Sequence, residues 1–268
     1  MKKIKKLLSV LMATIMCISS LAVCNLSAYA AGWIDTVQEI EFDSVYTESC
    51  SKSDASSKNY YYDAFMFNVP TSGKIKLTVE AESIDYVQNW FYNYYTPFSI
   101  YDVNNLNEAL IDLEYDKKTF NSAYNCYHIE CNFDIKNPGI YYLVASYNRE
   151  YFEKYNNYQG SYDFTISFTP NITNVSLSKI ISKKKSFKVN YPKCSNVSGY
   201  QLQYSKNKNM KSAKTINLSS SSSSKTIKGL KSKKNYYVRI RTYKTVNING
   251  SNKTYYSKWS PKKSVKTK

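Results

Sequence analysis

The chain has one histidine, His128, in the stretch CYHIEC between Cys126 and Cys131. A histidine beside a cysteine can activate a thiolate nucleophile, provided the two side chains reach each other. Neighbours on one strand rarely offer that geometry, and no further motif supports a nucleophile. Strand parity turns His128 away from the face that carries Ile129, Cys131 and Phe133. Carboxylates are the second candidates. Glu80 and Glu82 share one strand face, as do Asp112, Glu114 and Asp116. A glycosidase needs two such groups across a cleft. Calcium wants several oxygens, and Asp102, Asp112, Glu114 or Asp116 could supply them, but no EF-hand spacing joins them. There is no Walker sequence, Gly-x-Ser-x-Gly, His-Glu-x-x-His or Cys-x-x-Cys. The expectation is no enzyme: no catalytic residue, no metal site and no cofactor.

Aromatic residues offer a different chemistry. The stretch YVQNWFYNYYTP holds Trp90, Phe91, Tyr92, Tyr94 and Tyr95, and YNREYFEKYNNYQG holds Tyr151, Tyr155 and Tyr158. Exposed rings stack on the apolar faces of sugars while Asn and acids bind hydroxyls, so a glycan or peptide ligand is expected here. The competing reading is that the rings cap a core under long loops, or reflect a chain with 28 tyrosines.

These residues need elements to position them. Short alternating runs recur along the chain, and none has the period of an amphipathic helix. Strands are expected over 38–46, 63–69, 74–80, 97–102, 109–114, 127–135, 139–147 and 161–168. If each reverses direction, loops after odd-numbered strands share one end. Both aromatic stretches follow odd strands, so they form one tip, opposite the exit toward Pro170. Repeated strands with turn residues between them indicate a sandwich or barrel.

Charge divides the chain. All 20 Asp and Glu lie between Asp35 and Asp163, with only nine Lys and Arg among them, a formal −11. From Asn171 onward there are 24 Lys and Arg and no acid. Two modules with a boundary near Pro170 account for that segregation. Four lysines from Met1 to Lys6, an apolar run from Leu7 to Val23 and Ala28-Tyr29-Ala30 read as a secretory signal peptide over 1–30. Leu21-Ala22-Val23-Cys24 is a looser match to a lipoprotein box, because Val23 is not small. No second long apolar run follows, so no transmembrane anchor is expected. Export permits disulfides, but Cys50, Cys126, Cys131 and Cys194 allow three complete pairings.

In the basic half, Tyr236, Val238 and Ile240 alternate with Tyr237, Arg239 and Arg241. That is a strand with one buried and one wet face. Leu230, six residues before Tyr236, suits a tyrosine corner. Asn249-Gly250 is a tight-turn signal. Phe187, Val189 and Tyr191 line one face, as do Tyr200, Leu202 and Tyr204. With Tyr191-Pro192 (where the family usually has Trp), Gly199-Tyr200, the Leu230–Tyr236 corner and Ser257-Lys258-Trp259-Ser260, residues 170–268 resemble a fibronectin type III domain. The resemblance implies an immunoglobulin-like sandwich that serves as a spacer; no Arg-Gly-Asp is present.

The acidic half resembles the bacterial pre-peptidase C-terminal family, a jelly-roll-like β-sandwich. The resemblance rests on residues 63–70, then Gly73 to Leu77, Ile100-Tyr101-Asp102, Gly139 to Leu143 and Gly160 to Phe164. It implies a targeting or binding role for residues 31–169.

The reading is therefore all-β, two β-sandwich domains in tandem, in a secreted or cell-wall-associated protein of adhesion type. A module at +24 gains from anionic neighbours such as wall polymers. Lys183, Lys184, Lys185, Lys231, Lys233, Lys234, Arg239 and Arg241 are the expected contacts. Extracellular DNA satisfies the same charge rule, although nucleic acid is not the expected partner. A solubilising lysine coat without a specific partner is the plain alternative. Two further classes stay open: a structural wall or matrix protein without a ligand, and an undetected extracellular hydrolase.

Overall fold

The computed structural model describes residues 37–49, 55–56, 60–82, 95–106, 108–148 and 161–268. Residues 1–30, read above as a signal peptide, lie outside them. The chain divides into two compact units, Met1–Phe168 and Thr169–Lys268. The described residues contain strands and turns and no helix.

The acidic unit begins with β1 (Gln38–Glu39), β2 (Val45–Ser49), β3 (Ala55–Ser56), β4 (Tyr60–Val69), β5 (Gly73–Glu82) and β6 (Tyr95–Asp102). It continues with β7 (Ile111–Glu114), β8 (Lys117–Asn121), β9 (Cys126–Ile135), β10 (Gly139–Asn148) and β11 (Ser161–Pro170). One sheet runs β1-β4-β10-β6-β7 with β3 also on β4; the other runs β2-β11-β5-β9-β8. Alternation sends Phe65, Phe67 and Val69, Ile75, Leu77 and Val79, and Ile129, Cys131 and Phe133 inward, all buried. Rings meet across the sandwich: Phe65 and Phe164 lie 4.6 Å apart by centroid, and Phe98 meets Tyr162 edge to face at 5.7 Å. The Tyr162 hydroxyl donates to Asp63 Oδ2 at 3.0 Å, so that buried ring keeps its polar tip satisfied.

Besides the two-residue β3, which was not expected, two elements of the acidic unit depart from the expected strands. The run 38–46 is not one strand. It breaks at Asp43, whose φ is 64°, and β1 and β2 join different sheets. β1 lies parallel to β4, Gln38 opposite Phe65, while β2 runs antiparallel to β11. Buried Ile40 and Phe42 anchor the crossing. The second departure is β8, where no strand was expected. It pairs with β9 from Lys117↔Glu130 to Asn121↔Cys126. As the edge of its sheet it carries mostly exposed polar residues, so hydrophobic alternation does not mark it.

In the basic unit the strands are β12 (Lys179–Lys183), β13 (Ser186–Asn190), β14 (Gly199–Ser205) and β15 (Lys214–Ser219). They are followed by β16 (Ser224–Ile227), β17 (Asn235–Ile248), β18 (Ser251–Tyr256) and β19 (Lys263–Lys266). The sheets are β12-β13-β16 and β15-β14-β17-β18, with β19 also on β17. One core holds Phe187, Val189, Tyr200, Leu202, Val238 and Ile240. The expected corner is present: the Lys231 amide donates to the Tyr236 hydroxyl at 3.1 Å. Asn249 and Gly250 both take positive φ, 51° and 75°, and close the β17–β18 hairpin as the dipeptide predicts. Gly199 is required by packing, since a Cβ there would lie 2.5 Å from the Leu218 carbonyl oxygen.

Candidate functional site

Three surfaces carry the residues singled out above. The first is one end of the acidic unit. Glu82 pairs with Cys126, Asn148 with Tyr60, and the Ser161 end of β11 sits by Asp63 through Tyr162. Phe98 pairs with Ala145, which brings the start of β6 to the same end. The strand ends that bound segments 83–94 and 149–160 therefore lie together. Val69 and Gly139 pair at the opposite end. Trp90, Phe91, Tyr92, Tyr94, Tyr151, Tyr155 and Tyr158 themselves lie outside the described residues; Tyr95 is the first residue of β6.

The β8–β9 hairpin turns at this end and adds rings that were not singled out in the sequence. Tyr124, in the turn, is 79% exposed, and Phe120 is 50% exposed. Phe120 packs on Tyr127 at 5.2 Å, and Lys118 Nζ lies 4.6 Å over the Tyr127 ring. Burial lowers the Lys118 pKa from its ordinary value. The only sequence signal for this group was a pair of aromatics flanking a polar turn.

The second surface is the outer face of the same unit, where parity places His128. Its Nδ1 meets Glu80, its cross-strand partner, and its Nε2 lies 3.0 Å from Glu130 Oε1. Lys76 Nζ reaches the same Glu130 oxygen at 2.9 Å. Hydrogen bonds to Glu80 and then Glu130 raise the His128 pKa. Hydrogen bonds from His128 and then Lys76 hold Glu130 down at about 2. The Cys126 thiol faces Glu80 at 3.8 Å, not His128. Burial, then the Glu80 charge, raises its pKa, the opposite of what an activated thiol needs. Cys131 is buried in the core, and desolvation pushes it up to about 12. This arrangement is an ion-pair ladder on an open sheet face.

Three of the four carboxylates considered for calcium take separate local partners. Asp102 accepts from Asn104, Asp112 from Ser99 and Asp116 from Asn132. Among the described residues no group of three His, Cys, Asp or Glu converges as metal ligands.

The third surface belongs to the basic unit. Lys183, Lys184 and Lys185 lie at the β12–β13 turn, and Lys231, Lys233 and Lys234 before β17; all are exposed. Backbone bonds knit them into one pole: Leu230 N to Lys185 O at 2.9 Å, Lys185 N to Lys268 O at 3.0 Å, and Lys268 N to Lys183 O at 3.0 Å. Arg239 and Arg241 are not at that pole. They stand on the sheet face, where Arg239 Cζ lies 4.5 Å and Arg241 Cζ 4.3 Å from the Trp259 ring centroid. Arg241 also lies 3.9 Å from Tyr256. Arg239 Nε donates to Gln203 Oε1 at 2.9 Å, and Arg241 Nη2 to Gln201 Oε1 at 2.8 Å. Trp259 is held in place because Ser257 and Ser260 accept from the Thr242 and Ile240 amides at 3.1 and 3.0 Å.

No protein-family model matches the chain, and no curated protein matches it. Among solved structures, the pre-peptidase C-terminal domain of collagenase from Bacillus anthracis is similar over 49% of this chain and 94% of its own, at 17% identity and a TM-score of 0.29. The fn3 domain of human contactin 1 is similar over 37% of this chain and 83% of its own, at 12% identity and a TM-score of 0.29. A redesigned β-sandwich protein is similar over 36% of this chain and 92% of its own, at 21% identity and a TM-score of 0.26. These are low similarities to parts of the chain. The all-β assignment rests on the strands and their pairing.

Proposed function

We propose that the chain is a non-catalytic binding protein of the cell exterior. Its acidic unit, read as a pre-peptidase C-terminal-like sandwich, takes a glycan at the aromatic end. Its basic unit, read as a fibronectin type III domain, associates with anionic wall polymer. The observation that carries the first part is the pair of exposed rings Phe120 and Tyr124, with half-buried Tyr127 packed on Phe120, set at the end from which both aromatic-rich segments depart. Exposed rings at a sandwich end offer sugar faces an apolar platform. Asn121 and Asn125 beside them are exposed amides that can hydrogen-bond hydroxyls. The signal-peptide pattern of residues 1–30 supports an exterior location.

A glycan array probed with the full chain tests the reading. Trp90→Ala with Tyr92→Ala, and separately Phe120→Ala with Tyr124→Ala, are expected to cut binding by about tenfold or more, as loss of anchoring rings does elsewhere. Unchanged binding in both pairs, or no glycan bound by the parent chain, removes the proposal.

A further inference from the structure

Of the basic residues named from the sequence, Lys231 alone lines this unit's cleft; the other lysines around it were not named. A cleft of about 560 Å³ opens between the β14–β15 connection and the β16–β17 connection. Lys206, Lys211 and Lys214 stand on one side, Lys228 and Lys231 on the other. All five are exposed, and residues 171–268 contain no Asp or Glu to neutralise them. Tyr204, Leu230 and Tyr236 form an apolar floor. Five ammonium groups around one depression repel one another, a cost relieved by a bound polyanion.

The walls are held rigid before any ligand arrives. Ser205 Oγ donates to the Lys211 carbonyl at 2.7 Å and accepts from the Asn207 amide at 3.0 Å. The Met210 amide donates to the Asn207 carbonyl at 2.9 Å. On the other side, the Leu230 amide is bonded to Lys185 and the Lys231 amide to the Tyr236 hydroxyl. Little backbone ordering is left for binding to impose. Gly229, at φ +71°, has nothing within 4 Å of where a Cβ would stand, which leaves that wall open.

We propose that this cleft is a binding site for a linear phosphate polymer, with Lys206, Lys211, Lys214, Lys228 and Lys231 each facing successive oxyanions. Lysine suits phosphate as a point charge that needs no fixed fork geometry. The proposal rests on the reading that the basic unit associates with anionic polymer, and it names the site and the chemistry. The cleft is too large for a single oxyanion and is bordered by cations on both sides, as a chain crossing it requires.

Calorimetry of the full chain with short-chain polyphosphate across a salt series tests it. Two triple variants remove equal charge: Lys206→Gln, Lys211→Gln and Lys228→Gln in the cleft, and Lys179→Gln, Lys193→Gln and Lys225→Gln outside it. All six lysines are exposed, so both variants are expected to keep the parent circular dichroism and melting curve. The cleft variant is expected to bind about tenfold or more weakly and to lower the salt slope by about 2; the other is expected to lose about twofold or less. Equal losses mean diffuse charge and overturn the site. If the parent chain binds no polyphosphate but self-associates in sedimentation, and the cleft variant does not, the occupant is the acidic unit of a second copy and the proposal fails. Retention of the parent chain on a dextran sulfate column is read alongside. Retention with equal losses sinks the cleft alone; absence of retention sinks the wider anion-binding reading as well.

Discussion

The two units solve the same problem, a charged outer sheet face, by different chemistry. In the acidic unit the basic side chains Lys76 and His128 alternate with the acidic Glu130 and Glu80 across strands. Each charge finds its opposite there. The basic unit has no carboxylate side chain, so Arg239 and Arg241 stack on Trp259 and Tyr256 and donate to the amide oxygens of Gln203 and Gln201. Gln203 and Gln201 in turn donate to Thr215 and Asn217 on the edge strand. An aromatic face and a neutral amide replace the missing anion. A one-signed sheet face is thus compatible with an ordered surface when the cations are flat and the partner is a ring. Lys183 to Lys185 and Lys231 to Lys234 have no such partner and project into water at the pole.

The comparison can be broken most directly at Trp259. Trp259→Ala removes the plane shared by two guanidinium groups and is expected to destabilise the basic unit by about 2–3 kcal/mol in urea unfolding of the full chain. A loss below about 0.5 kcal/mol would show that the stack is decorative. Tyr236→Phe is the next largest. It leaves the Lys231 amide without its hydroxyl acceptor, for about 1 kcal/mol, read by the same urea unfolding. The acidic unit sharpens the contrast between its inner and outer thiols. Cys131, buried and with its pKa at about 12, is expected to stay unlabelled by a thiol reagent until the protein unfolds, while Cys126 on the outer face labels slowly in the folded state. Early labelling of Cys131 would contradict the packing of β9.

The smallest effect belongs to the ion-pair ladder. His128 has a raised pKa in the fold, so its contribution is complete below the unfolded value of about 6.5 and is lost as pH rises through the folded value. Glu130 is depressed to about 2, so its contribution is present above the unfolded value and is lost as pH falls toward about 2. Both groups lie on a solvated face, which keeps the effect small. His128→Asn is expected to flatten the alkaline limb of the stability profile. NMR titration of the His128 ring should give a midpoint above that of a free histidine. A midpoint at or below it would dissolve the ladder.

Much of this was legible in the residues. The alternation in β17, the Tyr236 corner and the Asn249-Gly250 turn are local patterns with one physical solution each, and all three are present. The outward side of His128 followed from the period of a strand. β8 was not legible, because an edge strand with two wet faces carries no hydrophobic period. The break at Asp43 was hidden for a related reason: Ile40 and Phe42 keep the spacing of a continuous strand while the chain changes sheets between them and β2.

The sequence alone determined what depends on neighbours along the chain: strand period, turn type and the partition of charge into an acidic and a basic half. Tertiary structure decided what depends on partners far apart in sequence. It set Arg239 and Arg241 against Trp259, bonded Lys183 and Lys185 to Lys268 and raised five lysines around one cleft. Those pairings arise from strand order and register, which bring together side chains whose spacing along the chain carries no trace of their contact.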